Sequence, residues 1–361
     1  MTGSVRRAAV CAAAAMLMLV TTARPAFADN VREREWHVAA LGLAEAHRLS
    51  QGDGVIVAVM DTGVDARHTE LTGAVLPGKG FGEGNSSDGR SDSFGHGTAV
   101  AGLIAGRGLP NGGGVLGVAP KAMILPLQTL RGDDGLGVPG FLAEGIDWAV
   151  ANGAKVICVA GGTSENGQVR EAVERALKAD VVVVAAVGNT PRQTTVAFPA
   201  KLPGVLAVGG TDRNGEHASM SVAGPEIQVT APAVEIISTG LSGDYTVSMG
   251  TSDATAIVAG VVALVRAKYP SLSGAEVVHR ITATATDKGK PGRDEEYGFG
   301  IVNPVAALTA DVAPVPPSAA VSSAPARSAG AGVKWGFGLG VGVVVVLIGV
   351  FVIGRRAVAR R

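Results

Sequence analysis

The chain has 361 residues, 47% of them hydrophobic, and its 31 basic and 31 acidic residues give a formal net charge of zero. This balance leaves no broad basic surface for nucleic acid, so we expect no nucleic-acid partner. Of the two cysteines, Cys11 lies in a predicted leader, and Cys158, in an apolar run, is expected to be a buried free thiol.

The first 28 residues have the pattern of a secretory signal peptide. Two arginines precede an apolar run over residues 8–20, and residues 26–28 give the small-x-small triplet that signal peptidase favours. We predict cleavage before Asp29. An uncleaved membrane helix is the alternative, but the run is shorter than the ~20 residues that span a bilayer.

Residues 29–53 are predicted to be a short N-terminal extension, and residues 54–311 the folded body. Short apolar runs that end in glycine-rich turns recur in this body, at residues 55–60, 155–160, 181–187 and 205–208. Segments with helical spacing lie between them, at residues 141–151 and 168–178. Such alternation predicts an α/β fold with an open, mainly parallel sheet and helices on both faces. Ligands of such sheets bind beyond the carboxyl ends of the strands.

Four stretches carry residues suited to catalysis. Asp61 ends the first predicted strand and could orient an imidazole, although a turn-capping aspartate is the alternative. His96 opens a helix of small residues and could act as a general base, or it could be structural. Ser252 precedes an apolar helix, where a serine is usually a cap but where the helix dipole also favours an oxyanion. Asn189 follows another strand and could donate to that oxyanion, or simply form a turn.

The end of the chain is predicted to reach and cross a membrane. Residues 312–333 are rich in proline, alanine and serine, which indicates an extended tether. Residues 335–354 carry no charge and are long enough for a transmembrane helix. The four arginines within residues 355–361 predict a cytoplasmic tail. We therefore expect a single-pass cell-membrane protein whose body lies outside the cell.

Together, the four stretches resemble the subtilisin family of serine proteases, whose catalytic residues follow the order Asp, His, Ser. The resemblance extends over residues 54–308. It implies a serine endopeptidase with Asp61, His96 and Ser252 as the triad and Asn189 as an oxyanion donor. It also implies that protein or peptide substrates pair with a strand in the cleft, with the binding residues Val159, Ala160, Gly161, Gly162 and Gly188.

The whole layout resembles the mycosins, proteases associated with type VII secretion, which implies secretion components as partners. Mycosins likewise have only a short N-terminal extension in place of a folded inhibitory propeptide. A membrane-anchored scaffold of a secretion machine, with weak or no turnover, is the alternative function. We predict no cofactor and no metal, because no ligand spacing around loop acids such as Asp88 and Asp92 is persuasive, although calcium stays undecided.

Three positions depart from the family pattern. Ala256 stands where proline is usual, and Ala160 where serine is usual. Asp253 follows Ser252, where a carboxylate near the oxyanion hole would oppose the developing negative charge. We therefore expect a slow or narrowly selective enzyme, which rapid hydrolysis of casein would contradict.

Overall fold

The computed structural model describes residues 31–314, except residues 83, 85, 131 and 133–136. The predicted signal peptide (1–28), tether residues 315–333, transmembrane segment (335–354) and basic tail (355–361) lie outside the described residues. Among the helices that are described, none is both long enough and apolar enough to cross a membrane.

The centre of the described fold is a parallel sheet. Its strands are β1 (Ile56–Asp61), β2 (Lys79–Gly80), β3 (Met123–Gln128), β4 (Val156–Val159), β5 (Val182–Ala186), β6 (Leu206–Thr211) and β7 (Val229–Pro232). Their order across the sheet is β2-β3-β1-β4-β5-β6-β7. A separate antiparallel hairpin consists of β8 (Ile236–Thr239) and β9 (Tyr245–Ser248).

Helices cover both faces of this sheet. They are α1 (Trp36–Ala40), α2 (Leu43–Leu49), α3 (His96–Ala105), α4 (Pro139–Ala151), α5 (Gly167–Lys178), α6 (Thr251–Lys268), α7 (Gly274–Ala283) and α8 (Pro304–Thr309). Successive strand side chains point to opposite faces. Val57 and Val59 of β1 therefore belong to one core with α3 and α6, whereas Ala58 and Met60 belong to a second core with α4 and α5.

The predicted α/β class, with a mainly parallel sheet and helices on both faces, is confirmed. The predicted strands and helices are found within one to three residues of their expected ends, and Cys158 is a buried free thiol. The sequence analysis did not identify β3 or β7. Each contains a proline, Pro126 or Pro232, which is a poor indicator of a paired strand.

The N-terminal extension, where it is described, packs on the body. It contains α1 and α2, and the indole Nε1 of Trp36 donates to the carbonyl oxygens of Val234 and Glu235, each at 3.2 Å. The guanidinium of Arg32 donates to the carbonyl oxygens of Gly113 and Gly114. Residues 31–53 thus form part of the folded surface.

Helix α3 lies very close to the hairpin because Gly102 has no side chain. The hydroxyls of Ser238 and Thr239 donate to the carbonyl oxygens of Ala99 and Thr98, both at 2.7 Å. A Cβ at Gly102 would lie 2.2 Å from Thr239 Oγ1 and 2.7 Å from Ser238 Oγ. A side chain at this position would therefore push the hairpin away from the helix.

We expect Gly102→Ala to lower the free energy of unfolding by about 1–3 kcal/mol, the usual cost of overpacking. Gly140→Ala in α4 is the matched control, because no atom lies within 4 Å of the added methyl group. Alanine is the better helix former, so the control should be neutral or stabilised by up to ~1 kcal/mol. Denaturant unfolding measures both, and equal stability of the two variants would contradict the expected clash.

Candidate active site

The carboxyl end of β1 brings Asp61 against His96, the first residue of α3. Asp61 has no exposed surface, and Nδ1 of His96 lies 2.8 Å from Oδ1 and 2.9 Å from Oδ2 of Asp61. When Nδ1 donates its hydrogen to the carboxylate, Nε2 of the neutral imidazole is left to accept a proton. The pair therefore has the arrangement of an oriented general base.

Asp92 fixes the start of α3. One oxygen of its carboxylate accepts from the backbone N–H groups of Phe94 and Gly95, both at 2.9 Å. The other oxygen accepts from the backbone N–H and the hydroxyl of Thr98, at 3.0 and 2.7 Å. Backbone N–H groups at a helix start have no partner within the helix, so these bonds hold the first turn, and with it His96, in place.

Gly97 allows α3 to approach β1 closely. A Cβ at Gly97 would lie 2.1 Å from the carbonyl oxygen of Gly63 and 3.0 Å from Cβ of Asp61. The first distance is shorter than real Cβ atoms show and the second is tight, so a larger residue would separate the helix from the strand. The glycine beside His96 is therefore part of what holds the Asp61–His96 pair together.

Ser252 is the second residue of α6, beside the amide of Asn189. Oδ1 of Asn189 accepts from the backbone N–H and the hydroxyl of Thr251, at 3.0 and 3.1 Å. This orientation leaves the NH2 group of Asn189 as the donor. A Cβ built at Gly250 would lie 2.8 Å from Ser252 Oγ and 3.6 Å from Asn189 Nδ2, so the hydroxyl and the amide nitrogen lie beside the same point.

One cavity of about 370 Å³ joins these groups. His96, Asn189 and Ser252 all line it, together with four of the five predicted substrate-binding residues: Ala160, Gly161, Gly162 and Gly188. The fifth, Val159, is not in the lining. Val159 is 2% exposed and packs in the core with α4 and α5. Strand β4 ends at this residue, so residues 160–162, which were expected to continue the substrate-pairing strand, lie beyond it.

Asp253 is a buried acid in the first turn of α6. Its carboxylate is 3% exposed and accepts from the hydroxyl of Ser248, with Oγ 2.9 Å from each carboxylate oxygen. Asp253 lines a second cavity, which it shares with His96 and not with Asn189. The expected opposition of this carboxylate to an oxyanion stays a prediction, and Asp253 lines a different cavity from Asn189 and Ser252.

Nearby carboxylates shift the titration of His96. The charge of Asp61 is the main cause that raises the pKa of His96 above its usual range, with smaller contributions from Asp253 and Asp92, while burial opposes the rise. Burial raises the pKa of Asp253 to about 7, against the opposing effects of the Ser248 hydrogen bond and the His96 charge.

The sequence analysis missed several residues that position the site. Thr251 anchors Asn189, and Ser248 holds Asp253; neither belongs to a spacing pattern that marks such a role. Asp92 was named only as a loop acid without persuasive spacing for a calcium ligand, although an aspartate shortly before a predicted helix is a known capping signal. Among the described residues, no group of three or more His, Cys, Asp or Glu side chains could hold a metal ion.

Comparison with known proteins identifies the family. The model of the subtilase family matches residues 52–300, which is more than half of the chain. The chain is a subtilase. It is 41% identical over 261 residues to subtilisin DY of Bacillus licheniformis, an alignment that covers 71% of this chain and 92% of that protein. The subtilase is therefore a subtilisin-like serine protease, and protein or peptide is its substrate class.

Solved structures of mycosins have the same fold as this subtilase. MycP1 of Mycobacterium smegmatis is 30% identical, with a TM-score of 0.68, and the match covers 78% of this chain and 86% of that chain. The MycP3 protease from the type VII (ESX-3) secretion system is 33% identical, with a TM-score of 0.66, and covers 76% and 88%. The predicted resemblance to subtilisins and mycosins is confirmed.

Proposed function

We propose that this subtilase is a membrane-anchored, mycosin-like serine endopeptidase in which Asp61, His96 and Ser252 form the catalytic triad. The observation that carries the proposal is the hydrogen-bonded Asp61–His96 pair, whose imidazole lines the same cavity as Ser252. A histidine that is oriented by a buried carboxylate and lines one cavity with a serine at a helix start fits the arrangement that serine proteases use.

Peptide hydrolysis would proceed in two halves. Nε2 of His96 removes the proton of Ser252 Oγ as this oxygen attacks the peptide carbonyl carbon, and Asp61 stabilises the imidazolium that forms. The NH2 group of Asn189 and the backbone N–H of Ser252 donate to the oxyanion. His96 then gives its proton to the leaving amine, and water, activated by the same base, releases the acyl group.

Active-site labelling tests this assignment directly. A fluorophosphonate probe reacts only with a serine whose oxygen is activated, so the folded protein should be labelled at Ser252, as located by peptide mapping. Heat-unfolded protein is the control and should not react. Labelling at another serine, or equal labelling after unfolding, would rule out Ser252 as the nucleophile.

We expect Asn189→Ala to lower kcat by about 10²- to 10³-fold with little change in KM, a magnitude carried over from subtilisin. The reason is that one donor to the oxyanion is lost, whereas ground-state binding does not depend on it. Peptide hydrolysis kinetics measure both constants.

Asn189→Asp is the matched control for a purely structural role. It keeps a side-chain oxygen that can accept from Thr251, but it replaces the NH2 donor with a negative charge. It should therefore be at least as inactive as Asn189→Ala. Activity of Asn189→Asp near that of the unchanged protein would mean that Asn189 only anchors α6.

The proposed place of action is the outer side of a cell membrane, in connection with type VII secretion. The likeness to MycP1 and MycP3 and the predicted tether and membrane segment support this proposal. Deletion of the gene followed by complementation tests it: the unchanged gene should restore export of secretion substrates. Complementation by Ser252→Ala separates the two candidate roles, since full rescue favours a scaffold and loss of substrate cleavage with impaired export favours a protease.

A further inference from the structure

Asp253 is a buried acid that the catalytic scheme does not use. It follows the nucleophile directly, in the first turn of α6, and lines a cavity of about 370 Å³ that His96 also lines. His96 thus bonds to Asp61 at the end of β1 and shares a cavity with Asp253 at the start of α6. Burying a carboxylate costs free energy, because a charge is removed from water, so a buried acid with no other role in the fold is a candidate for a functional one.

The hairpin holds the Asp253 side chain in place. Ser248, the last residue of β9, donates its hydroxyl to the carboxylate. Ser248 pairs with Ile236 across the hairpin, and α3 packs on β8. The helix that begins at His96 and the strand that holds Asp253 are therefore joined, so the two side chains keep a fixed relation.

The carboxylate of Asp253 accepts hydrogen bonds from fewer donor groups than the carboxylates of Asp92 and Asp61. The carboxylate of Asp92 accepts from Thr62, Phe94, Gly95 and Thr98. Asp61 accepts from the backbone N–H of Thr62 as well as from His96. For Asp253, the described residues supply one hydroxyl donor, and a hydroxyl has one hydrogen to share between two oxygens.

We propose that Asp253 is a positioning residue that acts through His96, a proposal that rests on the proposed triad. The carboxylate of Asp253, held by Ser248, stabilises positive charge on the imidazole and moves the onset of activity to higher pH. The positive end of the α6 dipole favours the charged form of a first-turn acid. Asp253 would thereby support the imidazolium in the transition state, in addition to Asp61.

In the described part of the chain, three other charged or titratable side chains line the two cavities that His96 lines. Asp244 and Tyr245 of the hairpin line the same second cavity, and Arg192 lines the first. Asp244 is exposed to solvent, where its charge is screened. The charges that raise the pKa of His96 are those of Asp61, Asp253 and Asp92, so Asp253 is the one contributor that neither orients the ring nor caps α3.

The sign of the effect follows from the role of His96 as a base. Only the unprotonated imidazole accepts the proton of Ser252, so kcat/KM rises with pH through the pKa of His96. A neighbouring negative charge raises that pKa. Removing the charge should shift the acid limb of kcat/KM to lower pH and reduce the plateau, because the transition-state imidazolium loses a stabilising charge.

The test compares Asp253→Asn with Asp244→Asn in the full-length protein, by the pH profile of peptide hydrolysis. We expect the midpoint of the acid limb to fall by about one pH unit in Asp253→Asn and to stay unchanged in Asp244→Asn. Ser248→Ala should shift the midpoint in the same direction by less, because an Asp253 without its donor is more often neutral. A plateau loss without a midpoint shift in Asp253→Asn would overturn the proposal.

A second readout separates this proposal from the proposed function. NMR titration of the His96 ring in the Ser252→Ala background needs no turnover, and thermal unfolding checks that each variant is folded. A lower His96 midpoint in Asp253→Asn supports the electrostatic role even if the protein hydrolyses nothing, which would refute only the proposed activity. An unchanged His96 midpoint refutes the role of Asp253 even if the triad is active.

Discussion

Replacing Ser252 with alanine is expected to lower kcat for peptide hydrolysis by about 10⁶-fold, a magnitude carried over from subtilisin. Without Oγ no acyl-enzyme can form, and the remaining rate enhancement comes from binding and the oxyanion donors alone. The substitution removes one oxygen atom from a half-buried side chain, so the fold should be retained. Steady-state kinetics with a peptide substrate measure the loss.

Two controls accompany this variant. Ser87→Ala changes an exposed serine and should leave kcat unchanged. The thermal unfolding midpoint of Ser252→Ala should match that of the unchanged protein. If Ser252→Ala retained more than about one hundredth of the activity, another nucleophile would have to be sought, since triad residues act as a unit.

Asp61→Asn is expected to lower kcat by about 10⁴-fold at neutral pH. The asparagine can donate its NH2 group to Nδ1 of His96, which favours the tautomer with hydrogen on Nε2. That tautomer cannot accept the proton of Ser252, although the geometry of the pair is kept. The loss arises because Asp61 is fully buried and lies within 2.9 Å of the ring.

Labelling and kinetics together distinguish this cause from unfolding. Asp61→Asn should lose fluorophosphonate labelling while keeping its unfolding midpoint close to that of the unchanged protein. Asp53→Asn makes the same charge change at an exposed site and should have no effect on either. Activity of Asp61→Asn within tenfold of the unchanged protein would mean that His96 is oriented by another group.

Local patterns in the sequence were sufficient for most of the fold. Strands buried on both faces consist of uninterrupted apolar residues, and the helices between them show their own spacing, so β1, β4, β5, α4 and α5 could be identified from neighbouring residues alone. Strand β3 was missed because Pro126 interrupts its pattern, and its place beside β1 depends on pairing with residues far away in the chain.

The candidate catalytic residues could also be identified, because their spacing and order carry the family pattern. Asp61 ends β1, His96 opens α3, Asn189 follows β5 and Ser252 lies in the first turn of α6, which are the places in the fold that the sequence predicted. The cleft wall was less predictable. Val159, the last residue of β4, packs in one core, whereas the next residue, Ala160, packs in the other core and also lines the cleft, a difference of one residue that the sequence did not indicate.

The amino-acid sequence by itself determined the family, most of the sheet and most of the residues that line the cleft, because hydrophobic periodicity and motif order are local properties of the chain. Only the tertiary structure decided that Asp253 lines a cavity with His96 and not with Asn189. That outcome depends on the hairpin, whose Ser248 holds the carboxylate and whose Ser238 bonds to the helix that begins at His96. Packing between segments that are far apart in the chain, such as this hairpin and α3, is not predicted by local sequence patterns.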